Sequence, residues 1–592
     1  MPANRGGLRL SPGSALDAVV ASPARTLVAV LANVPTLLKI GWREPVLPEM
    51  FLWAAQIALV ALYALLFVRE VRSFSGSDRS EVLRTVRPEV VFAIGAVLFV
   101  WLSVLLKTML ALLLIVHLAR TFLRFVQTTI PPGLVFLGSF VGLVVAGTLA
   151  LLLPASTPAD MPISVTDALF TTTSAISQTG LVVRDTGTGF TRIGHVVILI
   201  LMQVGALGVI VFGALLVNVL GSSFGFRATQ SIAEGTEQGW SGQLSLQRLV
   251  TFIIIFTHLI ELIGAAVLYF GWPDSPDVWP GMPEMNNAGD RIFHSVFFSV
   301  SAFCNAGFVT TPESLTTLRT HWTTHGLIAP LIVLGSIGFP VLENLWRVFA
   351  SRVRGKRLTD SGALVRLNLN TKIVLTTTLA LYFIGAAFIF ISETVPTAAH
   401  PNGEPPGIAL LDAHFMNINR TAGFNTVPTD EMGLLAHLGF IFLMFVGGSP
   451  GSVAGGIKVM VFAVLVLTVW STLMGRRQTT AFGRTIPDVM IRKSATLIVM
   501  FLFLLLAGTG VLVVSDAQHD LDQLLFEVAS ALGTCGLSLG VTDSLSEIGK
   551  VTITALMFIG RVGPLAVIAA LLGVASRKRV QYDYPHEDVV IY

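Results

Sequence analysis

Four short segments, each ending in glycine, constrain this chain more than any other feature. They read Phe170-Thr-Thr-Thr-Ser-Ala-Ile-Ser-Gln-Thr-Gly180-Leu181, Phe297-Phe-Ser-Val-Ser-Ala-Phe-Cys-Asn-Ala-Gly307-Phe308, Ala413-His-Phe-Met-Asn-Ile-Asn-Arg-Thr-Ala-Gly423-Phe424 and Phe526-Glu-Val-Ala-Ser-Ala-Leu-Gly-Thr-Cys-Gly536-Leu537. The glycines lie 127, 116 and 113 residues apart. Six residues before each glycine stand Ser174, Ser301, Asn417 and Ser530, and five before it Ala175, Ala302, Ile418 and Ala531. Self-similarity of this long period means one structural unit used four times.

The setting is a membrane. Of 592 residues, 53% are hydrophobic and 12% charged, about half the charge of an ordinary soluble domain. So few charges cannot coat a soluble surface of this size, which excludes a large soluble enzyme. Apolar runs lie at 51–68, 90–117, 134–153, 195–220, 249–270, 326–342, 373–392, 433–446 with 457–474, 495–514 and 551–573. Most are near the ~20 residues that cross a bilayer as a helix. The net charge of +3 is too even to suggest nucleic acid. Two cysteines, Cys304 and Cys535, make neither a disulfide framework nor a zinc site. The stretch 451–458 lacks the spacing of a phosphate loop. No signal-type apolar run precedes Thr26.

The fold class expected is an all-α polytopic membrane protein, with four helix–pore helix–helix units around one pore and an extra N-terminal hairpin. The glycine-ended segments hold about 12 helical residues, too few to span. Each needs a non-helical return, tolerated at membrane depth only when buried in protein or facing water. Four such returns around one axis imply a pore. The units are expected at 134–221, 249–345, 372–475 and 494–575, after a segment 1–45 with an interfacial helix near 26–40 and a hairpin over 46–133, and before a tail 576–592. Arg347, Arg352, Arg354, Lys356, Arg357 and Arg366, then Arg476, Arg477, Arg484, Arg492 and Lys493, then Arg577, Lys578 and Arg579 mark linkers and tail as cytoplasmic. Both chain ends are then inside, although the loop 69–89, placed outside, carries Arg69, Arg72, Arg79, Arg84 and Arg87. Asp274, Asp277, Glu284, Asp290, Asp516, Asp520 and Asp522 fall outside, either as an acidic mouth that concentrates cations or as a solvated face.

A potassium ion leaves its hydration shell only for oxygen dipoles that replace it, and rings of backbone carbonyls do this. Aiming those carbonyls inward requires dihedrals that glycine reaches most cheaply. A lone membrane glycine more often serves close helix packing, but four at the same place fit a filter. The filter is expected at Gln178, Thr179 and Gly180, Asn305, Ala306 and Gly307, Thr421, Ala422 and Gly423, and Thr534, Cys535 and Gly536.

These motifs, with Gly447-Gly-Ser-Pro-Gly-Ser-Val-Ala-Gly-Gly-Ile-Lys458 and Gly560-Arg-Val-Gly-Pro-Leu565, resemble the Trk/Ktr/HKT superfamily of potassium transporters over about residues 120–592. The resemblance implies potassium uptake (K+ as the transported ion, Na+ as the alternative), no enzymatic chemistry and a bacterial inner membrane. It also implies a homodimer with one pore per subunit and a cytoplasmic RCK-type nucleotide-binding regulatory ring. In that family glycine in all four filters goes with potassium and serine in the first with sodium, so Gly180 favours potassium. The N-terminal hairpin resembles the Trk branch and the motifs the Ktr branch.

Five glycines among residues 447–456, with Pro450, interrupt what would be one helix over 433–474. By resemblance this is an intramembrane gating loop, formed by Gly447, Gly448, Ser449, Pro450, Gly451, Ser452, Gly455, Gly456 and Lys458. Arg561 sits inside an apolar run, where a charge is costly and normally faces a cavity. It either faces the pore, held by loop oxygens such as the Ser449 or Ser452 hydroxyls or free carbonyls, or pairs with a buried acid such as Glu261. Arg420 stands three residues before Gly423, where a bare cation would repel potassium. It is expected as a strut paired with Glu527, with Asp412 the next candidate. Cys304 and Cys535 read as packing, and His258, His294 and His414 as no ligands. A membrane enzyme would need clustered titratable groups, and only Glu261, Lys107 and Arg561 stand isolated at membrane depth.

Overall fold

The apolar runs fold as helices wherever their structure is described. It is a computed structural model that describes residues 23–44, 46–72, 132–223, 246–273, 287–311, 314–355, 365–396 and 406–563, with scattered positions between 91 and 117. Most of the span 90–117, the arginines at 79, 84 and 87, the acids at 274, 277 and 284, the basic residues at 356–357 and the tail 576–592 lie outside the described residues. Among those described, five helices are long and apolar enough to cross a membrane.

Residues 1–130 with 153–159 form one unit, and 131–152 with 160–592 another. In the first, α1 (Pro23–Gly41) packs on α2 (Glu49–Arg72). Small residues let them approach: Ala32 clusters with Val60, Leu106 and Leu110, and Val28 and Ala29 with Tyr63 and Leu113. Tyr63 Oη meets His117 Nε2 at 2.7 Å, and Asn33 donates to the Leu110 carbonyl at 3.2 Å. Where the sequence suggests an interfacial helix near 26–40, α1 is long and apolar enough to span and buries one face in this unit.

In the second unit each of four long helices is followed by a short one. It begins α3 (Pro132–Leu151), α4 (Val165–Ser177) and α5 (Arg192–Ser223), then α6 (Leu246–Gly271), α7 (Ala288–Phe303), α8 (Ala329–Ser336) and α9 (Phe339–Val353). It continues α10 (Leu369–Thr394), α11 (Pro406–Asn419), α12 (Leu434–Phe445) and α13 (Val459–Leu473), and ends α14 (Asp488–Ser515), α15 (Leu521–Gly533) and α16 (Glu547–Val562). The short helices α4, α7, α11 and α15 have 13, 16, 14 and 13 residues. Three have clear start signals: Ser164 caps α4, Asn287 caps α7, and Asp520 with Gln523 closes a capping box on α15. Phe170, Phe298, Phe415 and Phe526, one from each short helix, are buried in one shared cluster.

The apolar run 326–342 is not one span. It breaks between Ser336 and Phe339 with a bend of 103°. Gly338 takes φ +91°, a conformation that glycine reaches most readily. Pro340 falls in the first turn of α9, where its missing N–H costs nothing.

Four contacts between a basic and an acidic side chain join successive repeats in a closed cycle. Arg192 meets Asp290 at 3.3 Å, Arg319 meets Asp412 at 2.5 Å, His437 meets Asp522 at 3.6 Å, and Lys550 meets Asp167 at 2.9 Å. In each, a basic residue that follows one repeat's glycine reaches the short helix of the next, and the last closes fourth onto first. Asp412 is fully buried and receives Arg319 through both Nε and Nη2. Arg319→Ala leaves that carboxylate buried without its guanidinium, so a loss of about 3 kcal/mol is expected. Adding Asp412→Asn should recover much of it. Melting of the purified protein in detergent checks both, and equal melting of Arg319→Ala and the parent would show the contact to be neutral.

Candidate functional site

The four repeat glycines come together at one point. Gly180, Gly307, Gly423 and Gly536 have φ of 87°, 70°, 76° and 97°. A methyl on each would lie 3.1, 3.2, 2.8 and 3.0 Å from the Cα of the next, and Gly536 closes onto Gly180. The same methyl would strike the carbonyl oxygen of Ala306, Ala422, Cys535 or Thr179 in turn. Four backbone carbonyls therefore abut the four glycines in a closed ring, with no space for a side chain.

Each strand is held to its own helix. Ser174 Oγ accepts from Gly180 N at 3.1 Å and donates to Leu181 O at 2.7 Å. Ser301 Oγ donates to Phe308 O at 2.7 Å, and Ser530 Oγ accepts from Gly536 N at 3.0 Å. In the third repeat Asn417 turns away to the Tyr382 carbonyl, and Asn419 takes over. Its Oδ1 accepts from Phe424 N at 2.7 Å and its amide donates to Phe424 O. The residue two before the glycine is left-handed in three repeats: Gln178, Asn305 and Thr534, with φ of 61°, 55° and 47°. The Gln178 and Asn305 side chains leave the axis for the Met202 and Ile332 carbonyls, at 2.7 and 3.1 Å. Thr421 Oγ1 donates to Asn305 Oδ1 at 2.9 Å, tying third strand to second.

Above the ring opens a vestibule of about 580 Å³, lined by the four glycines with Arg184, Asp185, Asp430 and Asp543. Three of the acids named from sequence are engaged elsewhere. Asp290 and Asp522 sit in the contacts between repeats, and Asp516 accepts from Ser546 N and Oγ. The vestibule acids are different residues, placed there by the returning strands.

Below the ring, residues 446–458 form a buried, hydrogen-bonded loop between α12 and α13. Gly447 N donates to Ile457 O at 2.9 Å and Gly448 N to Gly455 O at 3.2 Å. Ser449 N reaches Ser336 O at 3.0 Å, Val453 N reaches Gly335 O at 3.2 Å, and Phe339 N returns to Gly451 O at 3.0 Å. The loop thus fills the break between α8 and α9. The Pro450 carbonyl lies against Gly338, and the Ser452 hydroxyl donates to Ser449 O at 2.6 Å. Gly456 takes φ +70°, and Lys458 Nζ donates to Ala454 O at 2.5 Å. A methyl on Gly455 would strike Thr534 Oγ1, so the loop touches the base of the fourth strand.

Arg561 is 7% exposed and donates through Nη1 to the Val453 carbonyl, a loop oxygen. Glu261 is not its partner. That carboxylate accepts from Gln203 Nε2 at 3.0 Å and lies 3.6 Å from Cys304 Sγ. The expected pair between Arg420 and Glu527 does not form. Glu527 is taken up by Ser538 Oγ, by Leu539 N at 3.3 Å and by Thr542 Oγ1 at 2.9 Å, bracing the chain just past Gly536. Asp412, the second candidate, belongs to Arg319. Both acids have nearer partners than a guanidinium three residues before Gly423.

One set of residues escaped the sequence reading. A methyl on Gly205, Gly335 or Gly560 would drive into the carbonyl of Ile176, Phe303 or Leu532, each four residues before a ring glycine. These glycines let the helix after each strand press on the end of the short helix, and their recurrence 24–28 residues after the ring glycine was the available signal. Gly335→Ala and Gly560→Ala should each destabilise by about 1–3 kcal/mol. Gly208→Ala, whose methyl meets nothing within 4 Å, should be neutral. Melting of the purified variants tests the contrast, and a loss equal to theirs in Gly208→Ala would refute it.

Residues 137–577 match the family model TrkH, described as cation transport protein. The chain is 33% identical over 470 residues to Ktr system potassium uptake protein B of Bacillus subtilis, covering 78% of this chain and 96% of that protein. It is 32% identical over 476 residues to potassium/sodium uptake protein NtpJ of Enterococcus hirae, covering 78% and 97%. Its fold is similar to the crystal structure of the potassium transporter TrkH from Vibrio parahaemolyticus, with a TM-score of 0.57, 16% identity and coverage of 94% of this chain and all of that one.

Proposed function

The chain belongs to the TrkH family of cation transport proteins, and we propose that it admits potassium ions through the ring of carbonyls at Gly180, Gly307, Gly423 and Gly536. The observation that carries this reading is the cyclic approach of the four glycines, whose preceding carbonyls replace the hydration shell of a cation. Kinship to a potassium uptake protein supports the choice of ion, and so does Gly180, which keeps the first strand free of a side chain. The chain is a multi-pass membrane protein of the bacterial inner membrane in this reading. It works as a homodimer on a cytoplasmic nucleotide-binding ring.

Flux is limited below the filter by 447–458 and Arg561. The support is geometric. The loop crosses beneath the fourth strand, and the guanidinium is anchored to a loop carbonyl. A fixed positive charge on the path repels a passing cation, more strongly where the surroundings are apolar.

Sodium entry is the second reading, favoured by the likeness to a potassium/sodium uptake protein. Growth of a potassium-uptake-deficient bacterium carrying this chain, at low potassium with low or high sodium, separates the two. Rescue at low potassium in both sodium conditions is expected. Failure to rescue in either would overturn potassium uptake, and rescue only in high sodium would favour the second reading.

Two variants test the parts. Gly180→Ser places a side chain 2.7 Å from the Ala306 carbonyl, so weaker discrimination against sodium is expected in competitive rubidium uptake. Unchanged selectivity here and in the other three glycine variants would refute the filter. Arg561→Ala removes one charge-assisted hydrogen bond that holds the loop, so flux in vesicles should rise about tenfold with selectivity intact. Loss of transport in well-folded protein would make Arg561 structural.

A further inference from the structure

Arg420 poses a problem that the filter reading does not solve. Its side chain is 8% exposed, and a guanidinium stays protonated in proteins. Among the described residues it makes no hydrogen bond or ion pair, and its Nη1 is fully buried without a partner. A buried charge left in this state is strongly unfavourable. The acids that could have neutralised it are held by Ser538, Leu539 and Thr542, or by Arg319. Yet Arg420 lies three residues from Gly423, where an unneutralised cation opposes cation binding.

The arginine lines a cavity of about 60 Å³ behind the third strand, between α8, α10, α11 and the start of the loop. Ser336, Thr378, Tyr382, Asn417 and Ser449 are among its walls, and no carboxylate is. A pocket of this size has room for one small ion. Its walls mix hydroxyl groups with Val333, Ile337, Ile418 and Val459, the unpartnered Asn417 Oδ1 is one acceptor among them, and Arg420 is the one charged group. We propose that this cavity binds a small monovalent anion, chloride by size, against the Arg420 guanidinium, and that the anion's charge shields the third filter strand from the arginine. The anion is a fixed counter-charge beside the path and is not carried along it. The shielding half of the proposal rests on the filter reading; the binding half does not.

Bromide provides the direct test. In crystals of the full chain grown with bromide in place of chloride, anomalous scattering should give a peak within hydrogen-bond reach of the guanidinium, absent in Arg420→Gln. No peak at Arg420 in the unaltered protein would overturn the site and give the cavity to water. The shielding is read in proteoliposomes. Replacing chloride by gluconate, too large to enter, should weaken the apparent rubidium affinity about fivefold, and bromide should restore it. A rubidium affinity indifferent to the anion would overturn the shielding. Both measurements work on the unaltered chain, so they decide even where Arg420→Gln fails to fold. A bromide peak in protein that takes up no rubidium would support the site while counting against the filter.

Discussion

At the axis there is no room for a Cβ. That steric fact governs the rest of the second unit. Four glycines must meet at one point with positive φ, so four strands must arrive there together, each behind a helix short enough to stop half-way. Each strand leaves backbone groups that water cannot satisfy, and buried polar backbone needs partners. The serines six residues before the ring meet that need in the first, second and fourth repeats, and Asn419 meets it in the third. The left-handed residues two before the ring place their side chains outward, where Gln178 and Asn305 find carbonyls of the following helix. Gly205, Gly335 and Gly560 then bring that helix close enough to be reached.

Asymmetry is concentrated in the third repeat. It has Asn417 where the others have serine and Ile418 where they have alanine. Its strand is clamped from four residues before the glycine, and Thr421 is not left-handed as its counterparts are. It also contributes the buried Arg420 and the loop 446–458. Fourfold exactness is not needed for a ring of carbonyls, which asks only that the oxygens converge. One repeat is therefore free to hold its strand by other means, and the third is that repeat.

Much of this was legible in the sequence, because it recurs there. The repeat glycines, the short helices and the interruption at 447–458 follow from spacing and from helix breakers, which act locally. The bend after Ser336 was not read from the sequence: Gly335, Gly338 and Pro340 crowd into six residues, but the apolar run around them reads as one span. What the sequence did not show is pairing over long separations. Arg420 and Glu527 are plausible partners by charge and position, yet Ser538 and Thr542 reach Glu527 first, only 11 and 15 residues along its own chain. Arg319 and Asp412 are 93 residues apart, and Lys550 and Asp167 are 383. No periodicity encodes those contacts. They follow from the closure of the ring, which places the first repeat beside the fourth.

Selectivity and flow control, in the proposed reading, need different mechanical properties, and the hydrogen bonds are divided accordingly. The strands of the ring are tied to their own helices by hydroxyls and amides of the same segment, and the first and second also to the following helix through Gln178 and Asn305. The loop is tied instead to other repeats, to Gly335 and Ser336 at the end of α8 and to Arg561 on α16. A displacement of α16 reaches the loop through Arg561, and one of α8 reaches both the loop and Asn305 in the second strand. The two systems touch closely at the fourth strand. Gly455 abuts Thr534, and Gly533 abuts the Met444 carbonyl, both without space for a methyl. Motion of the loop meets the ring there, at the fourth strand, whose Gly536 is anchored by Ser530 and whose outgoing chain is braced by Glu527. Those two anchors stand on either side of the point where Gly455 abuts the fourth strand.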